Sequence, residues 1–599
     1  MGISYCCEFE TIYGYESDYD TTWRRPEMDI TGRKLFVKAL QEEGVDTIFG
    51  YPGGTVTDLF DELHKQDGIR VVLPRHEQGL IHEAEGYAKA TGKVGVCLVT
   101  SGPGATNIMT GLADAHYDNI PLVCFTGQVS LNLIGNDAFQ EVDIVGMTRS
   151  VTKYGVTVRN RNDLGKIIKM AFHIASTGKP GPVLIDIPKD IQTAQGDPIY
   201  PEKVEIRGYK LNKTVHVGQL KKAYKLLKSA KHPLILAGGG INIAHANDAF
   251  LQFTEKMQVP VVTTIMGKGA IPSTHPLYVG NCGMHGKYAA NMVVANCDVL
   301  FSIGTRFNDR ITGDLNEFAP KAQIVHIDVD TASISRNVAV DVPVVADANL
   351  VLEKLNEWAE PKKTGKWQEE IHHWDELHPL KMHRDKGMTP QMIMEEINDY
   401  LKEGIIVTDV GQHQMWATQF LDFDSKKRLI TSGGLGTMGF GFPAAIGAKI
   451  GVPQQKVLCI SGDGGMQMNI QEMATAVVEG VPITVCVLNN QYLGMVRQMQ
   501  QLFYGKRYEA TCLRRRKTCP KDCKGPNAAC PPYTPDFIAL AESYGAHGIR
   551  VERKEDIKAA LLQAEQYTDA PTVIEFLIAS DELVLPMVKG GNPMSEMIL

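Results

Sequence analysis

Two short runs in this sequence could together hold a divalent cation. Gly462-Asp463-Gly464 closes one apolar stretch, and Asn489-Asn490 closes another after 24 intervening residues. Glycines at a strand end let the backbone approach a phosphate at a helix N-terminus. Asp463 and the side-chain oxygen of Asn490, carried on adjacent strand ends, would join a backbone carbonyl and phosphate oxygens around Mg²⁺. That cation takes oxygen ligands in an octahedron and often draws only a few from protein. A lone Gly-Asp-Gly is common in glycine-rich chains, whereas the two runs at this separation, bracketing a helix-like and a strand-like segment, are specific. Glu77, in RHEQ, stands between a strand and an amphipathic helix, where an acid complements the helix N-terminus. Tyr51-Pro52-Gly53-Gly54 and Ser101-Gly102-Pro103-Gly104 are glycine turns of the kind that follow strands. Cys512, Cys519, Cys523 and Cys530 form a fourth cluster.

These groups need a scaffold, and the sequence pattern supplies one. From Ile30 onward, short apolar runs such as VGVCLVT and PLVCFTGQ alternate with amphipathic stretches such as EQGLIHEAEGYAKATG. That pattern predicts an α/β protein with doubly wound parallel sheets. Three units are expected, at 29–192, 217–357 and 389–580, joined by charged linkers at 193–216 and 358–388. A tail at 1–28 and a C-terminal tail or lid at 581–599 complete the chain. The first and third units repeat one pattern: KVGVCLVTSGPG…IPLVCFTGQ and KVLCISGDGG…VPITVCVLNNQ both read strand, Ser-Gly-x-Gly, helix, x-Pro, strand. Duplication accounts for the match, and Asp463 in the later copy replaces Pro103 in the earlier. The carboxylate thus arises at the carboxyl end of a strand, where α/β sheets place ligands.

Composition narrows the function classes. The 599 residues carry 61 Lys+Arg against 69 Asp+Glu, a net charge of −8, which offers no basic footprint for nucleic acid. Hydrophobic residues at 44% and charged residues at 22% exclude disordered, collagenous and coiled-coil classes. No apolar run reaches the ~18 residues of a membrane span. Twelve cysteines are too sparse for a secreted disulfide scaffold. Residues 1–28 lack the layout of a signal peptide, so a cytoplasmic location is expected.

The motifs and their order resemble those of thiamine diphosphate (ThDP)-dependent enzymes, and most closely acetohydroxyacid (acetolactate) synthase catalytic subunits, over roughly 30–580. The resemblance implies a pyrimidine-binding domain, an FAD-binding middle domain and a diphosphate-binding domain. Asp463, Asn490 and the Tyr492 carbonyl would hold Mg²⁺ against the diphosphate. Gly411, Gln412 and His413 would contact the diphosphate, as would the turns containing Gly464, Gly465, Leu493, Gly494 and Met495. Met438, next to Gly436 in GGLGTMGFG, would wedge the cofactor into its bent form. Gly53 and Gly54 would line the pyrimidine pocket. Glu77 would protonate the aminopyrimidine N1′ from the opposite subunit, which makes a homodimer the smallest active unit and a homotetramer its alternative. The run Asp137-Ala138-Phe139-Gln140-Glu141 would turn Phe139 and Gln140 toward the reaction centre, with Lys189 at the substrate entrance. Structural FAD would contact Lys179, Gly238, Gly239, Gly240, Met284, His285, Gly286, Gly304, Arg306, Asp309, Arg310, Asp328 and Asp347. Arg310 would also pair with the carboxylate of the second 2-oxoacid, since a guanidinium fork suits that anion; otherwise it bridges Asp309 or Asp314 on the surface.

The activity implied is decarboxylation of pyruvate and transfer of the hydroxyethyl carbanion to pyruvate or 2-oxobutyrate, in branched-chain amino-acid synthesis, with a small regulatory subunit as a further partner. The alternatives are a pyruvate oxidase or decarboxylase type of ThDP enzyme, or a non-catalytic nucleotide- or redox-sensing scaffold. Three positions depart from the family pattern. Met499 stands where tryptophan favours 2-oxobutyrate, Ser130 where proline is usual, and Lys179 where arginine contacts FAD. Met499 and Ser130 predict weak inhibition by sulfonylurea-type compounds. The insertion 511–532 is a fourth departure. Its cysteines, set among Arg514, Arg515, Arg516, Lys517, Lys521 and Lys524, suit Zn²⁺ or an iron–sulfur cluster, or else form a basic loop of reduced thiols.

Overall fold

The computed structural model describes residues 29–382, 387–527, 529–531 and 535–599; the expected N-terminal tail at 1–28 lies outside them. Eighteen strands form three six-stranded sheets, numbered here in chain order. The first unit contributes β1 (Thr47–Tyr51), β2 (Arg70–Val72), β3 (Gly95–Val99), β4 (Leu122–Gln128), β5 (Tyr154–Thr157) and β6 (Val183–Pro188). The second contributes β7 (Pro233–Ala237), β8 (Val261–Thr263), β9 (Tyr278–Asn281), β10 (Val299–Ile303), β11 (Gln323–Asp328) and β12 (Val342–Val345). The third contributes β13 (Gly404–Thr408), β14 (Lys427–Thr431), β15 (Val457–Gly462), β16 (Thr484–Asn489), β17 (His547–Val551) and β18 (Thr572–Leu577). Every pairing within these sheets is parallel. Each sheet carries an apolar layer on both faces, which is why the central strands read as uninterrupted apolar runs.

Topology bears out the repeat. The first sheet runs β2-β1-β3-β4-β6-β5 and the third runs β14-β13-β15-β16-β18-β17, the same order shifted by twelve. The middle sheet differs, running β9-β8-β7-β10-β11-β12. That is the 3-2-1-4-5-6 order of dinucleotide-binding folds, with its switch point between β7 and β10.

The first and third units pack through two helices, Glu77–Thr91 and Gly441–Gly451. Glycines set the crossing: a side chain at Gly86 would strike the Ala444 carbonyl, and one at Gly447 the Glu83 carbonyl. The helix Glu77–Thr91 ends at Gly92, whose left-handed φ of 75° suits a glycine C-cap.

Three connecting segments have more structure than their composition suggests. Gln195–Gly196, in the first linker, pairs with Ile30–Thr31. The charged second linker contains a helix, Gly365–Leu377, whose Trp367 and Ile371 are buried in the middle unit's core. The Trp367 indole N–H donates to the Pro233 carbonyl at 3.1 Å. The C-terminal segment folds back as a small antiparallel pair, Met587–Val588 with Met597–Ile598. Among the described residues, no helix is long and apolar enough to cross a membrane.

Candidate active site

The third unit gathers its sequence-predicted groups at the carboxyl ends of neighbouring strands. β15 and β16 pair with Gly462 opposite Leu488, so Asp463 and Asn490 emerge side by side. Asp463 is buried, and its Oδ2 has no hydrogen-bond partner. Burial pushes its carboxyl up to about 7, against the pull of backbone N–H groups including that of Gln491. A buried oxygen without a donor beside an amide oxygen is a donor set that fits a hard divalent cation. Asn490 donates from Nδ2 to Gln412 at 3.1 Å and accepts the Tyr492 N–H at 3.0 Å, which fixes the turn that presents the Tyr492 carbonyl. Gly464 and Gly494 leave room that side chains would fill: a Cβ at Gly464 would meet Leu493 Cδ2 at 2.8 Å, and the Gln412 amide blocks one at Gly494. Gly465 abuts Asp409, and Met495 packs on the adjacent core layer.

Gly411, with φ of 153°, leads into the helix Gln412–Phe420. The His413 ring sits against Gly462, buried, with Nε2 unpartnered; burial lowers its pKa to about 3, so the ring is neutral. Met438 Cε lies 3.6 Å from the Cβ position of Gly464, which brings the predicted wedge over the Gly-Asp-Gly turn. Gly436, with φ of 79°, donates its N–H to the Ser432 hydroxyl, and that hydroxyl donates to Asp114 of the first unit.

Sequence reasoning missed the residue that fixes the wedge. Asp409, wholly buried at the end of β13, accepts the Gly439 N–H at 3.1 Å and the Gly441 N–H at 3.0 Å, clamping the backbone that follows Met438. Burial raises its carboxyl to about 6. The missed signal was an acid two residues before Gly411, at a strand end. Glu472 was missed as well. Its carboxylate accepts the Arg75 and His76 N–H groups at 2.9 and 3.0 Å, tying the third unit to the turn that carries Glu77.

In the first unit, Glu77 opens its helix and accepts from Asn107 Nδ2 at 2.9 Å. Its Oε1 stands 3.4 Å from the Cβ position of Gly104, in the Ser-Gly-Pro-Gly turn. Gly53 presses against Thr100, and the Gly54 carbonyl accepts the Lys189 ammonium at 2.8 Å, so those three predicted residues share one corner. Gln140, with φ of 59°, packs on Gly102. Glu141 staples the same loop by accepting the Gly135 and Ala138 N–H groups, and Phe139 projects outward, 88% exposed. Glu77 and Asp463 hydrogen-bond within their separate units.

The middle unit places its glycine motifs at the switch point. The Gly240 N–H donates to the Gly304 carbonyl at 3.0 Å, Gly238 meets the same residue, and Gly239 abuts Met266. Burial pushes the Asp328 carboxyl, at the end of β11, up to about 6. His285 Nδ1 and Asn308 Oδ1 are buried without partners, and burial lowers the His285 pKa to about 4. Unpaired polar atoms beside a glycine crevice fit a dinucleotide. Gly286 closes a turn on Gly283. The Arg306 guanidinium stands 5.9 Å from the Tyr117 ring centroid.

Three of the residues assigned to flavin have local partners. Asp347 caps the helix Ala348–Trp358 through the Asn349 and Leu350 N–H groups. Lys179 reaches Asp330 at 3.1 Å. Arg310 is exposed, 3.7 Å from Asp309, and donates to the Met284 sulfur at 3.4 Å. The C-terminal segment bridges the third and middle units. The Glu582 carbonyl accepts from Gln412, Val584 exchanges two hydrogen bonds with Gln498, and the Val588 N–H donates to the Met284 carbonyl.

Comparison with known proteins fits this geometry. Residues 30–147, 220–355 and 409–576 match, in turn, the N-terminal TPP binding domain, the central domain and the C-terminal TPP binding domain of thiamine pyrophosphate enzymes. The chain is 44% identical to the acetolactate synthase large subunit of Corynebacterium glutamicum, over 95% of this chain and 90% of that protein. It is 42% identical to the Haemophilus influenzae large subunit, over 95% of this chain and 98% of that protein. It is equally 42% identical to the Escherichia coli isozyme 3 large subunit, with the same coverage of both chains. The three parallel sheets, the paired Asp463 and Asn490, and these matches over 95% of the chain place it in the acetolactate synthase large-subunit family of thiamine diphosphate enzymes.

Proposed function

We propose that the protein joins two 2-oxoacids, decarboxylating pyruvate and attaching its two-carbon remainder to a second pyruvate or to 2-oxobutyrate. The observation that carries this reading is the unpartnered, buried Asp463 oxygen beside Asn490, on a chain that also presents Glu77. Asp463, Asn490 and the Tyr492 carbonyl would hold Mg²⁺, with Gln412 and His413 beside the diphosphate. ThDP supplies the electron sink for breaking and making the carbon–carbon bonds. Glu77 would hold the proton exchanged with the aminopyrimidine. Met438, held through Asp409, would pack against the cofactor, and Lys189 would attract the 2-oxoacid carboxylate.

A homodimer follows from the same reading. Phe139 is far too exposed for an aromatic in a finished site, and a partner subunit covering the Glu77 face would bury it. FAD at the middle unit's switch point would act structurally, held by the Gly238–Gly240 turn, His285 and Arg306. The relatives are named as large subunits, which supports a smaller regulatory partner. The test is product analysis with ThDP and Mg²⁺, on pyruvate alone and with 2-oxobutyrate. Acetolactate, converted by acid to acetoin and read by colour, is the expected product. Acetaldehyde alone, or pyruvate oxidation with flavin turnover, would overturn the reading.

A further inference from the structure

The strongest unexplained feature is the insertion that separates the helix Gly494–Phe503 from the helix Phe537–Ser543. Cys512, Cys519, Cys523 and Cys530 are all free thiols, and all four line one cavity together with Tyr492 and Tyr508. Four cysteines drawn from nineteen residues onto one cavity form a ligand set. Among the described residues, the one set of three His, Cys, Asp or Glu ligand atoms lying within 4.8 Å of one another is His82, Glu85 and Asp114. No three of the four sulfurs therefore lie within 4.8 Å of one another, whereas metal–sulfur bonds of about 2.3 Å would set thiolates about 3.8 Å apart around a single tetrahedral ion. A cubane cluster interposes its own iron and sulfide and holds thiolates about 6 Å apart.

Charge and hydrogen bonding point the same way. Between Cys512 and Cys530 stand six cations, Arg514, Arg515, Arg516, Lys517, Lys521 and Lys524, against one acid, Asp522. That excess would balance a cluster whose four thiolates leave it with a net charge of about −2. Two sulfurs already accept backbone N–H groups: Cys519 from Arg516 at 3.3 Å and Cys530 from Asn527 at 3.4 Å. Such donors stabilise ligating thiolates. The Cys523 thiol donates to the Gly525 carbonyl and would release its proton to solvent on ligation, as would the other three.

The insertion is also coupled to the active site. Cys512 and Tyr492 form an isolated antiparallel bridge, flanked by Leu493 N–H to the Thr511 carbonyl at 2.8 Å and Leu513 N–H to the Gln491 carbonyl at 3.1 Å. Leu513 Cδ1 lies 3.7 Å from the Cβ position of Gly464. The first cysteine is thus fixed to the turn that carries Asn490 and the Tyr492 carbonyl.

We propose that Cys512, Cys519, Cys523 and Cys530 ligate a [4Fe–4S] cluster that braces the Asn490–Leu493 turn without transferring electrons. The bracing role rests on the reading of that turn as the Mg²⁺ and diphosphate site; the cluster itself does not. The test uses the full chain, purified without oxygen and reconstituted with sulfide and equal parts of ferrous and ferric iron, the mixed valence of a cluster of net charge about −2. Expected are about four iron and four sulfide per chain, with a broad visible absorbance that Cys519→Ser and Cys523→Ser each abolish. The same variants should bind ThDP with Mg²⁺ about tenfold more weakly, read by quenching of intrinsic fluorescence, with far-ultraviolet circular dichroism unchanged. Stoichiometric zinc without iron, disulfide pairs, or four titratable thiols without metal would each overturn the cluster. An intact cluster whose loss leaves ThDP affinity unmoved would overturn the bracing alone. Failure of the parent protein to form acetolactate, with iron and sulfide present, would count against the proposed activity and leave the cluster standing.

Discussion

Glu77 and Asp463 use the same functional group in opposite ways. Glu77 sits half-buried with one hydrogen-bond donor, whereas Asp463 is buried with an oxygen that no donor reaches. Glu77→Gln should therefore lower kcat by about 10²–10⁴-fold, measured at saturating ThDP, while leaving cofactor affinity nearly intact. Asp463→Ala should act on binding instead: the Mg²⁺ concentration for half-maximal activity rises at least tenfold in a titration. Met499, partly buried in the helix Gly494–Phe503, is flexible where the family pattern has a rigid ring. Met499→Trp should raise the ratio of 2-aceto-2-hydroxybutyrate to 2-acetolactate in a mixed-substrate assay; an unchanged ratio would remove this position from specificity. At this scale the sequence was informative wherever chemistry and spacing coincide, as in Gly-Asp-Gly with Asn-Asn. It was silent on Asp409, because an isolated acid at a strand end carries no spacing signal and its partners are backbone N–H groups.

Among the elements, the turn that carries Met438 depends on the Asp409 clamp. The Asp409 carboxyl is raised from 3.8 to about 6 by burial, so the folded state holds its proton more tightly than the unfolded state. Its contribution is fully present below about pH 4 and is lost as pH rises to about 6, a change on the order of 3 kcal/mol. Asp409→Asn should flatten that part of the stability–pH curve relative to the parent, measured by denaturant unfolding at pH 4.0 and 6.5. It should also weaken ThDP binding, since the amide NH₂ that replaces one carboxylate oxygen would face a backbone N–H, that of Val410 or that of Gly441. The helix Gly365–Leu377 explains why a charged segment can mislead. Trp367, Ile371 and Trp374 follow a helical period inside an otherwise charged stretch, and three apolar positions suffice to dock one helix face. Strands were easier to read, because burial on both faces leaves no polar interruptions.

For the whole molecule, the shared strand order of the first and third sheets turns a sequence repeat into a structural one, and it places Pro103 and Asp463 at equivalent strand ends. Only the later copy carries an acid there, and on the proposed reading the cation and Glu77 belong to different units, with the site shared between subunits. An assembled dimer is therefore expected in sedimentation velocity, with specific activity falling on dilution below its dissociation range. A fully active monomer would exclude the shared site. The path of the C-terminal segment across Gln412, Gln498 and Met284 was not legible, because its contacts are backbone groups spaced by the other units.

The glycine crossing of Gly86 and Gly447 bears on how this chain can be recombined. Those two helices meet with backbone against backbone, so each surface is specified by what the other lacks. A chimera that takes its first unit from a relative should fold only if that relative keeps small residues at both positions, or if both helices are exchanged together. The useful exchange boundary is thus a matched pair of helices far apart in sequence, and a single cut in a linker would divide it.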